Sequence, residues 1–121
     1  FKYIAHGPIH HPAFGIGIYT LNGYRITAPN SVYSGYSIDT VMGEGEVRYY
    51  VASLPLQPGI YDLTCAIYDR NIVHPYDHHH RMYHFEVLPS SGRMDGLIFL
   101  PHTWMHLPEP LLLRKNNQLN Q

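Results

Sequence analysis

The chain has 121 residues, 45% apolar and 14% charged, which suits one packed domain and excludes a disordered tail. Eight Lys and Arg against nine Asp and Glu leave a formal charge of −1. That balance argues against nucleic acid or an anionic membrane as main partner, since both require a basic face.

The first residues, Phe1–Ala5, read as a strand rather than a secretory leader, and no apolar run is long enough for a membrane-spanning helix. His6–Pro12 (HGPIHHP) reads as a turn-rich loop. Ala13–Thr20 (AFGIGIYT) alternates: Phe14, Ile16 and Ile18 face one way, Gly15, Gly17 and Tyr19 the other. Asn22-Gly23 is a hairpin signal, with Tyr24–Ala28 as the return strand. Pro29–Gly43 is polar and turn-rich, an expected exposed loop. Glu44–Ser53 alternates again, with Val47, Tyr49 and Val51 inward. Pro58-Gly59 forces a turn into a strand through Asp69, on which Tyr61, Leu63, Cys65 and Ile67 share a face. A tyrosine just after such a corner is similar to the tyrosine corner of Ig-like sandwiches. Arg70–His78 reads as a loop. His79–Leu88 reads as a strand with Tyr83, Phe85 and Val87 inward. Pro89–Gly96 is a connector, Leu97–His106 a last apolar strand carrying Trp104, and Leu111–Gln121 a short helix or frayed tail. Some seven short strands between turn signals predict an all-β, Ig-like antiparallel sandwich.

Eleven Tyr and ten His are the compositional biases. No GxxxxGK[ST] stretch is present, and Gly15-Ile16-Gly17 lies within a strand pattern, so no phosphate cradle forms. The run His74–His80 suits metal ligation by residue type. Strand alternation lets His78 and His80 share a site but turns His79 away, so a third ligand would have to come from elsewhere, such as His84 or Asp69. The plainer reading is a loop held by hydrogen bonds among imidazole, Asp77 and backbone. The single cysteine, Cys65, falls on an inward face, where a thiol acts as a small hydrophobe, and it has no disulfide partner. No Gly-x-Ser-x-Gly elbow occurs. Asp62 and Glu86 could approach across strands as a carboxylate pair, but no motif supports catalysis.

A binding surface follows more directly. If the Tyr61 strand pairs with the Phe85 strand on one side and with Ala13–Thr20 on the other, their outward faces form one groove. Gly15, Gly17 and Ala66 make its floor. Tyr19, Asp62, Thr64, Tyr68, His80, Met82 and His84 are the candidate carbohydrate contacts. Aromatic rings stack on the C–H faces of sugars, while imidazole, carboxylate and hydroxyl groups bond their hydroxyls. The plainer alternative is that the glycines permit close backbone approach and Tyr68 is a solvated ring.

Three stretches taken together, FGIGIYTLNG at Phe14–Gly23, LPLQPGIYDLTCAIYD at Leu54–Asp69 and HPYDHHHRMYHFEV at His74–Val87, resemble the C-terminal domain of Wzt-type proteins. These are ATP-binding subunits of ABC transporters that export O-antigen and related cell-surface polysaccharides. The resemblance implies a noncatalytic, glycan-binding Ig-like domain over residues 1–106, a tail at 107–121, and an ATPase domain upstream that would bring ATP and Mg. It implies no cofactor or metal in this domain. The implied partners are the polysaccharide, the ATPase domain, the membrane subunit and a second copy that exchanges its C-terminal strand. The implied location is cytoplasmic, peripheral to the inner membrane. The connector Pro89–Gly96 gives the exchange some independent support, since it can fold back or open into a partner. Two other readings stay open: an Ig-like protein-interaction or dimerisation module, and a His-rich metal-binding domain.

Overall fold

The computed structural model describes residues 1–89 and 95–108. Within them the chain is built from six strands and no helix. They are β1 (Lys2–His10), β2 (Ala13–Thr20), β3 (Arg25–Thr27), β4 (Thr40–Glu46), β5 (Gly59–Tyr68) and β6 (Pro75–Val87). β1 and β4 form a two-stranded sheet; the other sheet is ordered β3-β2-β5-β6, with every pairing antiparallel. The central order β2-β5-β6 is the one alternation and hairpin spacing predict.

β2 and β5 pair in continuous register from Ala13 opposite Tyr68 to Thr20 opposite Tyr61. That register fixes both faces at once. Ile18, Leu56 and Tyr61 form the buried cluster, with Ile16, Leu63, Phe85 and Val87 packed on it. Tyr61 stacks on Phe85 at 5.4 Å, and its hydroxyl donates to Gln57 O at 2.5 Å. This is the tyrosine corner, a hydroxyl tying the strand back to its preceding turn. Burial raises the Tyr61 pKa, which keeps the hydroxyl protonated as a donor. Phe14 is buried further along β2, beneath Phe1 at 5.4 Å and Tyr3 at 5.8 Å. These contacts bring the two sheets together.

Several boundaries differ from the sequence reading. β1 runs on through His6–His10, so HGPIHHP is largely strand; the register shift between Ala5 and Ile9 accommodates Pro8. The expected loop Pro29–Gly43 gives up its end to β4, which starts at Thr40. The expected strand Glu44–Ser53 stops at Glu46. β4 pairs only with β1, and the last bonds join Val47 N to Phe1 O and the Phe1 amine to Val47 O. Past that point the backbone has no neighbouring strand, and Tyr49 and Val51 are exposed rather than inward. The return strand after Asn22-Gly23 is shorter than expected, at Arg25–Thr27.

β6 starts earlier than expected, at Pro75, and is bulged. Leu63 faces Tyr83 and Cys65 faces His79, so His80, Arg81 and Met82 together stand opposite Thr64. Arg81 takes φ 52° there, and its N–H donates to Thr64 Oγ1 at 2.8 Å. The insertion is two residues, so alternation stays in phase on both sides of it.

Leu97–His106 is not a strand. Its backbone makes one bridge, Ile98 to Leu56, with bonds from Gln57 N to Leu97 O and from Phe99 N to Pro55 O. Beyond that bridge the segment stands in solvent, with Trp104 92% exposed. An apolar strand needs a sheet edge, and the described chain offers this one only a short turn. The expected tail helix at Leu111–Gln121 and most of the connector lie outside the described residues.

Candidate functional site

The outward face of β2, β5 and β6 carries the site. Its base is Asp62, buried under a lattice of side chains. Arg81 donates to Asp62 Oδ2 from Nε at 2.9 Å and from Nη2 at 2.6 Å. His84 Nδ1 bonds the other oxygen at 2.7 Å. The hydrogen bonds from Arg81, ahead of the one from His84, hold the Asp62 carboxyl below the usual aspartate range. An ionised carboxylate only accepts, so Nδ1 of His84 carries a proton and donates to Asp62 Oδ1.

Arg81 reaches further. Nη2 donates to Leu21 O at 3.0 Å in the β2–β3 turn, and the guanidinium carbon lies 5.7 Å from the centroid of the Tyr19 ring. One side chain therefore ties the turn, β5 and the β6 bulge together. Tyr19 in turn lies over Gly17, where an added Cβ would stand 2.9 Å from Tyr19 Cε2. Glycine is needed at Gly17 for this close approach.

Beside this base runs a groove of about 480 Å³. Four rings follow one another along it: Tyr19 to His80 at 5.7 Å, His80 to His78 at 5.6 Å, and His78 to Tyr68 at 6.0 Å. Gly15, Gly17, Thr64 and Ala66 form the floor, and Arg25, Asn30 and Tyr33 the opposite wall. That wall is β3 and the segment after it, laid along the edge of β2. Ile16 N donates to Pro29 O, Ser31 N to Phe14 O, and Phe14 N to Ser31 Oγ. Asn30 Oδ1 accepts from Tyr33 N at 2.8 Å, closing an Asx-type turn.

Of the residues expected at the site, Tyr19, Thr64, Tyr68 and His80 line the groove. Asp62 lies beneath and His84 beside it, joined through one carboxylate. Met82 is not brought in. It sits in the β6 bulge, 62% exposed, and does not line the groove. Arg81, Arg25, Asn30 and Tyr33 join the site without having been singled out, and His78, weighed above only as a possible metal ligand beside His80, joins it too. An Asn-Ser-Val-Tyr turn signal was legible for the wall; nothing in the pattern marked the bulge that aims Arg81.

The chemistry offered is stacking and hydrogen bonding. Arg81 and His84 take up both oxygens of Asp62 and hold it ionised, so Asp62 itself has no proton to give as a general acid. Cys65 faces the other side of the sheet, where burial pushes its thiol pKa up. Asp69 accepts from Val73 N at 2.8 Å and His74 N at 3.1 Å, closing the β5–β6 turn. Among the described residues, no three His, Cys, Asp or Glu side chains converge to hold a metal ion. A larger space of about 880 Å³ lies between the sheets, lined by Phe1, Tyr3, Phe14, Ile16 and Val41 among others. Polar groups line it too, among them Ser31, Ser34, Thr40, Tyr49 and the Arg48–Glu46 ion pair.

No curated protein matches the chain. A solved structure described as the "Crystal structure of the C-terminal domain of wzt" superposes with a TM-score of 0.75 at 20% identity. The match covers 88% of this chain and 66% of that one, just under two thirds of its length. That likeness establishes a shared fold. The family model described as the Wzt C-terminal domain matches residues 1–100, and with it the chain belongs to the Wzt C-terminal domain family.

Proposed function

We propose that this domain is a noncatalytic carbohydrate-binding module of an ABC transporter's ATP-binding subunit and recognises the O-antigen or related cell-surface polysaccharide to be exported. One observation carries the reading: the row Tyr19–His80–His78–Tyr68 standing over a floor of Gly15, Gly17 and Ala66. Successive rings beside small residues fit successive sugar faces, and the nearby amide, hydroxyl and imidazole groups fit their hydroxyls. Family membership supports the transporter context. In that context residues 1–106 form the binding module, 107–121 a tail, and an upstream ATPase domain supplies the ATP and Mg chemistry at the inner membrane's cytoplasmic face. An open, wet groove implies micromolar to millimolar affinity (~4–8 kcal/mol), which lets an exporter release its cargo.

The test is NMR titration of the labelled domain with polysaccharide purified from the source organism's envelope. Amides of β2, β5 and β6 around the groove are expected to shift. Shifts confined to the β1–β4 sheet, or none at all, would overturn the reading.

A second role, dimerisation, is favoured by a separate observation. Leu100, Trp104 and Met105 are exposed on the C-terminal arm, while Leu63, Cys65 and Ile67 on the inner face of β5 are only half-buried. Exchange of that arm between two copies would cover both apolar surfaces. Sedimentation of the domain with and without residues 97–121 tests it; an unchanged monomer in both would remove it.

A further inference from the structure

The groove's charge distribution narrows the class of sugar it takes. The chain has nine acidic residues and is slightly anionic overall, yet no Asp or Glu among the described residues lines the groove. Asp62 is beneath it and bound to Arg81, Asp69 is turned to its own loop, Asp77 pairs with His79 on the other face of β6, and Glu86 stands beyond His84, opposite Ile60. Among the described residues, the one fully charged side chain on the groove wall is Arg25, whose guanidinium makes no hydrogen bond or ion pair with any of them. Facing it across the floor are the rings of His78 and His80, whose nitrogens are likewise unengaged by any described residue. Neutral sugars are ordinarily held by carboxylate acceptors together with donors; among the described residues no carboxylate lines this groove, and a guanidinium without an ionic partner does.

Resting on the carbohydrate reading above, we infer that the groove selects an acidic glycan, with Arg25 pairing a carboxylate or phosphate on the sugar while the ring row stacks its neighbours. The guanidinium fork fits either anion through two parallel N–H bonds.

The test uses defined probes on the whole chain: galacturonic acid trimer, its carboxyl-reduced trimer, galactose 6-phosphate and inorganic phosphate, each titrated by NMR. At least one acidic sugar is expected to shift amides near Arg25, Asn30 and His78, with the reduced trimer binding about tenfold or more weakly. The two acidic sugars separate a carboxylate from a phosphate ligand. R25Q is expected to cost about tenfold, R25K to recover part of it, and 500 mM salt to weaken binding in the parent but little in R25Q. Arg25 is exposed on a three-residue edge strand, so its replacement leaves the fold intact. Equal binding of acidic and reduced trimers, indifference to R25Q, inorganic phosphate matching the phosphosugar, or no groove response to any probe would each overturn the inference. The envelope polysaccharide titration decides the carbohydrate reading separately. A polysaccharide that binds R25Q and parent alike leaves that reading standing and removes this one.

Discussion

The two faces of β5 invert the ordinary expectation. Its outward residues Asp62, Thr64 and Ala66 are 5%, 6% and 5% exposed, while its inward Leu63, Cys65 and Ile67 are only half-buried. The outer face is closed by partners from the same chain: Tyr19 over Gly17, and Arg81 over Asp62. The inner face lacks such closure at its middle and end, where Phe1, Lys2, His79 and Tyr83 edge a cleft of about 320 Å³. Side-chain closure in this domain therefore lies on the side of the proposed glycan groove, and unspent apolar area lies on the opposite face.

That contrast can be broken at several points. Phe14→Ala, at the junction of the sheets, is expected to cost ~3–5 kcal/mol in denaturant unfolding, because its ring is buried under Phe1 and Tyr3. Tyr68→Ala is expected to weaken glycan binding about tenfold (~1.4 kcal/mol) with little change in stability, as a ring at the groove's end loses stacking and not core contact. Tyr61→Phe removes the corner bond to Gln57 O and is expected to cost about 1 kcal/mol. Trp104→Ser is expected to change unfolding of dilute monomer by no more than ~0.5 kcal/mol, as an exposed position does, while lowering any self-association seen by sedimentation. Little loss for Phe14→Ala, or a large loss for Trp104→Ser in the monomer, would erase the distinction between the closed and open faces.

Acid titration sharpens the same comparison. Both Asp62 and Asp69 have depressed carboxyl pKa values, Asp62 through Arg81 first and Asp69 through the amides of Val73 and His74. Their contribution is present in full above the ordinary aspartate pKa and is lost as pH falls through the lower folded values. Asp62→Asn is expected to flatten the acid limb of the stability curve and to loosen Tyr19 by freeing Arg81. An unaltered acid limb would mean that the outer lattice is decoration.

What was legible in the residues follows from periodicity. Phe14-Gly15-Ile16-Gly17-Ile18-Tyr19 and Tyr61 to Ile67 alternate cleanly, and the sheet order and groove face follow from them. The β6 bulge was invisible because two extra residues leave alternation in phase; the register shift opposite Thr64, the positive φ of Arg81 and its bond to Thr64 reveal it. That concealment hid Arg81 and made Met82 look like a groove residue. The end of β4 at Glu46 depends on where its partner β1 runs out, which no local pattern in Val47–Val51 encodes. The wall residues Asn30 and Tyr33 needed tertiary placement, since a polar loop gives no sign of which strand edge it follows, and Arg25 lay in the expected return strand without being marked as a site residue. The arm's apolar run was legible as a strand former, but the sheet it requires is not supplied by the described chain.

The anchoring of that wall has an evolutionary corollary. Pro29 and Ser31 are fastened to β2 through main-chain atoms and one serine hydroxyl, and Arg25 through the pairing of β3 with Tyr19, so the side chains of Arg25 and Tyr33 are not what holds the wall in place. On the proposed carbohydrate reading, substitutions at these two positions would retune glycan preference without disturbing the sandwich.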